Sequence, residues 1–186
     1  MSAFSVRLTP LQGLSVVDRH RREDSRGFFS RFFCAEELAA AGYDGPIAQI
    51  NHTLTRKSGA VRGMHFQYPP HAEIKLVSVL RGEVFDVAVD LRRGSPTYLR
   101  WHAQILSAEN GRSVLIPKGF AHGFQTLTED CELVYLHSHP YVPHAESGIR
   151  ATDPAVGIQW PLQFTEISER DRNHALIDSA FRGIEL

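Results

Sequence analysis

Cysteine, long apolar runs and an excess of either charge are all scarce in this 186-residue chain, and each absence closes off a class of protein. The two cysteines, Cys34 and Cys131, cannot build a disulfide scaffold, and a chain of this length does not need one. Both thiols are expected to be small buried hydrophobes in a cytoplasmic protein. Nowhere do about 18 apolar residues run together, and the segment Met1–Pro10 has no charged stretch followed by an apolar one, so neither a membrane span nor an export signal is expected. Lys and Arg number 20 against 21 Asp and Glu, and the densest basic run is only Arg19–Arg22. That is too little positive surface for non-specific binding along a phosphate backbone, which excludes nucleic acid as an expected partner. The chain has no repeat, low-complexity tract or linker, so residues 1–186 read as one domain with an ordinary core, 42% of the residues being hydrophobic.

What the chain does have is a series of short apolar or alternating runs separated by Gly, Pro and Asn. They are Ile47–Leu54, Val61–Gln67, Lys75–Leu80, Val84–Leu91, Tyr98–Leu106, Ser113–Ile116, Phe120–Leu127 and Cys131–His137. Strands at such even spacing predict an all-β antiparallel sandwich or barrel. Arg81-Gly82 reads as the turn of a hairpin. In its second strand Phe85, Val87, Val89 and Leu91 share one face, while Asp86, Ala88 and Asp90 share the other, so one face is apolar and the other carries carboxylates. Helix is expected only at Cys34–Ala41, closed by Gly42, and near Arg170–Ile177, where Ser168 can cap.

Ten histidines is a high count. His20, His52, His102, His144 and His174 sit in undistinguished contexts and read as solvated or hydrogen-bonded side chains. His65, in Val61–Gln67, and His122, in Gly119–Phe124, are flanked by glycine and apolar residues. The spacing Gly111-x5-Pro117-x-Gly119-x2-His122 resembles the second motif of the cupin superfamily, in which a Pro-x-Gly turn delivers a histidine into a small β-barrel. Many cupins complete a metal site with a first motif of His-x-His followed by Glu, and such a set suits Fe, Mn, Ni or Zn. Here that motif is broken: the chain offers His65-Phe66-Gln67, with His71 and Glu73 displaced. A metal-free site is therefore the preferred expectation.

A second resemblance covers almost the whole chain, from Asp24 to Asp171. It is carried by Asp24–Phe28, Gln49–Asn51, Val61–Gln67, Lys75–Val77, Gly82–Arg92, Ser95–Thr97, Leu106–Ser107 with Asn110, Ile116–Phe124, Asp153–Pro154 and Trp160–Pro161. In order and spacing these segments are similar to the dTDP-4-dehydrorhamnose 3,5-epimerase family, a metal-free branch of the cupins. The resemblance implies a jelly roll (double-stranded β-helix) with a few short helices and no cofactor. It also implies inversion of carbons flanking the C4 ketone of a nucleotide-linked 4-keto-6-deoxy-hexose. Such chemistry needs a base on one face of the sugar, an acid on the other, and a group that holds the enolate oxygen.

By the same resemblance His65 matches the base, and a near-neutral imidazole suits repeated proton removal and return. Asp171 matches the carboxylate that fixes its tautomer and stabilises the imidazolium. Tyr135 matches the acid; its reference pKa near 10 calls for a neighbouring cation. Lys75 matches the residue beside the developing enolate, where a preorganised cation can contribute about 3 kcal/mol. Arg26 and Arg62 match diphosphate contacts, His122, Gln49 and Asn51 match polar pocket positions, and Tyr141 matches an aromatic beside the substrate. In a regular strand Arg62 and His65 point to opposite faces, so bringing both to one site requires a bulge, which Gly63 permits. The family resemblance also implies a homodimer with exchanged N-terminal strands, Arg26 reaching into the partner's site.

One position departs from the family pattern. Where many members carry an acidic residue near the nucleotide base, this chain has Arg31, and a guanidinium only donates hydrogen bonds whereas a carboxylate accepts them. Thymidine is therefore an inference from the family, and epimerisation at one carbon only, or on a CDP- or other nucleotide-linked sugar, stays open. So do a metal-dependent cupin enzyme, marked by stoichiometric metal and EDTA sensitivity, and a sugar-nucleotide binder without proton exchange. The joint presence of His65, Tyr135 and Lys75 favours catalysis over binding alone. A transcription-factor-like cupin lacks its helix-turn-helix segment here.

Overall fold

The computed structural model describes residues 2–186. Two antiparallel sheets face each other as a jelly roll. The first contains β1 (Phe4–Leu8), β2 (Ser15–Arg19), β5 (Gln49–Thr55), β7 (Lys75–Arg81), β10 (Arg112–Ile116) and β12 (Cys131–His137), in the spatial order β1-β2-β10-β7-β12-β5. The second contains β6 (Ala60–Gln67), β8 (Glu83–Asp90), β9 (Trp101–Ser107), β11 (Phe120–Thr126) and β13 (Glu146–Gly148), in the order β13-β6-β11-β8-β9, with β14 (Glu166–Ile167) lying parallel to β6. Strands β3 (Arg21–Asp24) and β4 (Gly27–Ser30) form a separate hairpin. Two short helices complete the chain, α1 (Ala35–Ala39) and α2 (Glu169–Arg172). Among the described residues no helix is long and apolar enough to cross a membrane.

Three apolar layers explain why the middle strands read so strongly. Val77, Val79, Val84, Leu106, Val114, Phe124 and Leu133 fill the space between the sheets. The outer face of the second sheet is covered by the C-terminal segment, where Ile149, Val156, Ile158 and Ile184 pack on Val87, Val89 and Leu91. The outer face of the first sheet is covered by Leu38 and Tyr43. Buried on both faces, β11 is apolar or small along most of its length. The two faces of β8 are thus placed unusually. Its purely apolar face packs outward beneath the C-terminal segment, and its carboxylate-bearing face turns toward the interior, where Asp86 is 2% exposed.

The feature that positions the site is an irregularity in β6. His122 pairs with His65 but Phe124 pairs with Arg62, so Gly63 and Met64 together stand opposite Gly123. This is the bulge anticipated from the parity of Arg62 and His65. Glycine is required there: φ at Gly63 is +116°, and a Cβ would stand 2.7 Å from the Gly123 Cα and 2.8 Å from the His122 carbonyl. Backbone atoms hold the space, so no side chain can yield. Gly63→Ala is expected to lower stability by about 2–3 kcal/mol, read as a lower urea midpoint at unchanged slope. A loss below about 0.5 kcal/mol would mean that the strand absorbs the methyl group and that the bulge does not depend on glycine.

Candidate active site

A cavity between the sheets is lined by β5, β7 and β12 on one wall and by β6 and β11 on the other. Period-two alternation selects its residues: Gln49, Asn51 and Thr53 from β5, Tyr135 and His137 from β12, with Glu73 and Lys75 at the start of β7. Arg62, His65 and Gln67 come from the bulged β6, and His122 from β11. Tyr141 and Glu146 close one side from the segment that follows β12.

His65 is held from behind. Its Nε2 lies 2.7 Å from Asp171 Oδ1, while Asp171 Oδ2 accepts the Gly63 backbone N–H at 3.0 Å. The carboxylate can only accept, so Nε2 carries hydrogen toward it and Nδ1 is left as the basic nitrogen. Asp171 is 3% exposed, and Ser168 fixes it by accepting its backbone N–H at 3.0 Å as the N-cap of α2. The expected cap is present, although the helix ends at Arg172, well short of Ile177. Burial pushes the Asp171 carboxyl up, but the His65 contact and the Gly63 and Ser168 hydrogen bonds outweigh it and bring the pKa down to about 2.

On the facing sheet, Tyr135 is 9% exposed and its ring lies 6.0 Å from that of His122. Burial drives its phenol far above the ordinary value, Asp86 adds to this and Arg62 opposes it. The cation that a tyrosine acid calls for is therefore present but outweighed. His122 is held by Asp86, with Nε2 2.8 Å from Oδ2, deep in the interior. Lys75 is no solvated strand-end lysine. It is 7% exposed, 3.1 Å from Glu73 Oε1, and its Nζ lies 3.4 Å from the His65 carbonyl, to which it donates. Glu73 also accepts from Gln67 at 2.9 Å and lies 3.4 Å from His137 Nδ1. Burial raises the Glu73 carboxyl, yet His137 and Lys75 hold it below its usual range.

The structure gathers nine of the ten predicted side chains around or directly behind this cavity and leaves one out. Arg26 sits on the β3–β4 hairpin, its side chain 88% exposed and paired with Asp24 at 2.6 Å. Local carboxylate pairing and the separation of that hairpin from both sheets keep it away from the cavity of its own chain. Arg31 is likewise elsewhere, paired with Glu37 of α1 at 3.0 Å. The displaced cupin metal set is not assembled either. His65 and His122 are each bound to a different carboxylate, Glu73 is engaged by Lys75, Gln67 and His137, and His71 lies outside the cavity.

Several participants escaped the sequence reading. His174, read from the sequence as a solvated or hydrogen-bonded side chain, has its ring 6.0 Å from His65 and its Nε2 3.9 Å from Asp171 Oδ1. Burial lowers its pKa, the His65 charge adds to this, and Asp171 opposes it. Arg170 bonds Glu146 at 2.8 Å and stands 3.1 Å from His65 Nε2, while the Tyr141 hydroxyl donates to the same Glu146 oxygen at 2.8 Å. Period two gave a signal for two others, since Glu73 precedes Lys75 and His137 follows Tyr135 by two residues. Arg170 on the one-turn α2, Glu146 on the three-residue β13 and His174 in the loop after α2 gave none.

Asp171 sets an acid limit on stability. Its folded-state pKa of about 2 lies below its ordinary 3.8. Its contribution, about 2 kcal/mol, is therefore complete above pH ~4 and is lost as pH falls through ~2. Urea titrations between pH 5 and 2 are expected to show this loss in the wild type and a flatter acid limb in Asp171→Asn. Parallel acid limbs would contradict the assignment.

Comparison with known proteins gives the same direction. The family model described as dTDP-4-dehydrorhamnose 3,5-epimerase matches residues 8–179. The chain is similar to the dTDP-4-dehydrorhamnose 3,5-epimerase of Sinorhizobium fredii, with 45% identity over 166 residues, 86% of this chain and 85% of that protein. It is 37% identical over 178 residues to a dTDP-4-dehydrorhamnose 3-epimerase of Streptomyces niveus, covering 94% of this chain and 86% of that one. In structure it is similar to a 3,5-epimerase from Legionella pneumophila in complex with dTDP-4-keto-L-rhamnose. That match has a TM-score of 0.90 and 38% identity, and covers 97% of this chain and 98% of the other. With the jelly roll, the cavity and the matched length in agreement, the chain belongs to the dTDP-4-dehydrorhamnose 3,5-epimerase family of carbohydrate epimerases.

Proposed function

We propose that residues 1–186 act as one epimerase domain that inverts C3 and C5 of dTDP-4-dehydro-6-deoxyglucose, giving dTDP-4-dehydrorhamnose. The observation that carries this reading is the opposition of two proton-handling groups on facing sheets: His65, backed by Asp171, and the buried Tyr135. His65 Nδ1 removes the proton beside the C4 ketone, and the electron pair moves onto the C4 oxygen as an enolate. Lys75, positioned by Glu73, stabilises that oxygen in a site largely screened from water. Tyr135 then delivers a proton to the opposite face of the same carbon. His65 and Tyr135 return to their starting protonation states by exchange with solvent. No cofactor is required by these steps.

A second cleft, sharing Arg62 and His65 with the first, carries Arg56, Lys57 and Arg170 and is the place we assign to the diphosphate. Gln49, Asn51, His122 and Tyr141 orient the sugar and its nucleotide. The protein is proposed to work as a homodimer in which Arg26 completes the partner's site. The β3–β4 hairpin supports this, since it presents Phe28 and Phe29 at 58% and 67% exposure beside an Arg26 that its own cavity does not use. Two free cysteines are in keeping with a cytoplasmic setting.

The similarity to a 3-epimerase favours one further reading, inversion at C3 alone. Mass spectrometry of product formed in D₂O separates the two: two enzyme-dependent deuterium atoms are expected, and a single atom would assign a one-carbon epimerase. No uptake above a protein-free control would overturn the substrate, leaving CDP- and GDP-linked keto-sugars to be tried. Lys75→Met is expected to lower kcat by roughly 100- to 1,000-fold with KM little changed. An equal rise in KM at unchanged kcat would make Lys75 a binding residue only.

A further inference from the structure

Three histidines meet outside the cavity. His71 follows the turn at Pro69-Pro70, and His139 and His144 lie on the segment between β12 and β13. The rings of His71 and His139 are 5.0 Å apart and those of His71 and His144 are 5.6 Å apart, each pair close to perpendicular. His71 and His139 are half-buried, whereas His144 is exposed.

The tautomer of His139 is set by the backbone. His139 Nδ1 donates to the Pro140 carbonyl at 2.9 Å, so its Nε2 presents a lone pair. That lone pair faces His71 Nδ1 at 3.4 Å. The separation is long for a hydrogen bond, which is best near 2.9–3.0 Å. It matches the separation of two imidazole nitrogens on a tetrahedral cation, where N–metal lengths of about 2.0–2.1 Å put the nitrogens roughly 3.3–3.4 Å apart. The backbone under both rings is tied down as well, because the Gln67 side-chain amide donates to the His71 carbonyl at 3.1 Å and to the Pro140 carbonyl at 3.2 Å.

We propose that His71 and His139 form a two-imidazole clamp for a divalent transition metal of the zinc or nickel type, with the exposed His144 turning in as third ligand and water completing the shell. Imidazole donors without carboxylates suit these ions over Mg²⁺ or Ca²⁺. The bound ion fastens the segment that carries Tyr141 to the one that leads into Glu73 and Lys75. It thus stiffens one rim of the cavity without touching the reacting atoms. The site stands independently of the proposed reaction.

The test uses untagged, chelator-stripped protein titrated with Zn²⁺ or Ni²⁺ by calorimetry, with thermal unfolding as a second readout. Expected are one saturable site of unit stoichiometry and a metal-dependent rise in Tm. His71→Ala and His139→Ala should each weaken binding at least about tenfold and abolish the rise, while the Tm of the metal-free variants reports that they fold. A His65→Asn variant separates this clamp from the other convergent group, His65, Asp171 and His174, whose ligand atoms lie within 4.8 Å of one another. Binding that survives His65→Asn and fails in the His71 and His139 variants supports the clamp. Absence of saturable binding, affinities unchanged by His71→Ala and His139→Ala, or a site lost only in His65→Asn would overturn it.

Discussion

Everything at the centre of this protein hangs on one carboxylate. Asp171 accepts from the His65 ring with one oxygen and from the Gly63 backbone with the other, while Ser168 caps its own N–H. Two pieces of chain distant in sequence are thereby joined: β6, with its bulge and the proposed base, and the C-terminal α2. A buried carboxylate with every partner satisfied is stabilising, but removing any partner leaves a charge with nothing to compensate it. The bulge and the dyad are therefore one device, since the turn of backbone that lets Arg62 and His65 face the same cavity also offers the N–H that holds Asp171.

The jelly roll supplies the second requirement, two walls. His65 belongs to one sheet and Tyr135 and Lys75 to the other, so the groups proposed to address opposite faces of a flat enolate come from elements whose separation is fixed by an apolar core. The charged and imidazole side chains of this interior are paired: His122 has Asp86, Lys75 has Glu73, and Glu73 has Gln67 and His137 as well. These pairs preorganise the cavity's field, as the proposed build-up of charge on an enolate oxygen would require.

The central strands were legible because they are buried. The run Cys131–His137 coincides with β12, and the boundaries of β6, β7, β8 and β11 are matched within a residue. Tyr98–Leu106 begins too early because Leu99 adopts φ 61° in the turn before β9. Strands β1, β3 and β4 were missed because their residues are largely exposed and carry no apolar period, and β2 because its buried run Ser15–Val17 is too short to show one. Pairing, not patterning, makes them strands. In the site, residues in the long strands could be read from parity, while Arg170 arrives on the one-turn α2, Glu146 on the three-residue β13 and His174 on a loop, elements too short for sequence spacing to carry a period. Arg26 shows the converse: a motif match singled it out for a partner's site, and in its own chain it lies away from the cavity, paired with Asp24.

The sharpest test of the two-wall account is hydrogen exchange into unreacted substrate. In D₂O, Tyr135→Phe retains the proposed base but not the acid, so recovered dTDP-4-dehydro-6-deoxyglucose should gain deuterium with its configuration unchanged, while product formation falls by roughly 100-fold or more. His65→Ala should give neither exchange nor product. Deuterium entering substrate in His65→Ala, or inversion proceeding at the wild-type rate in Tyr135→Phe, would contradict the assignment of base and acid to the two facing sheets.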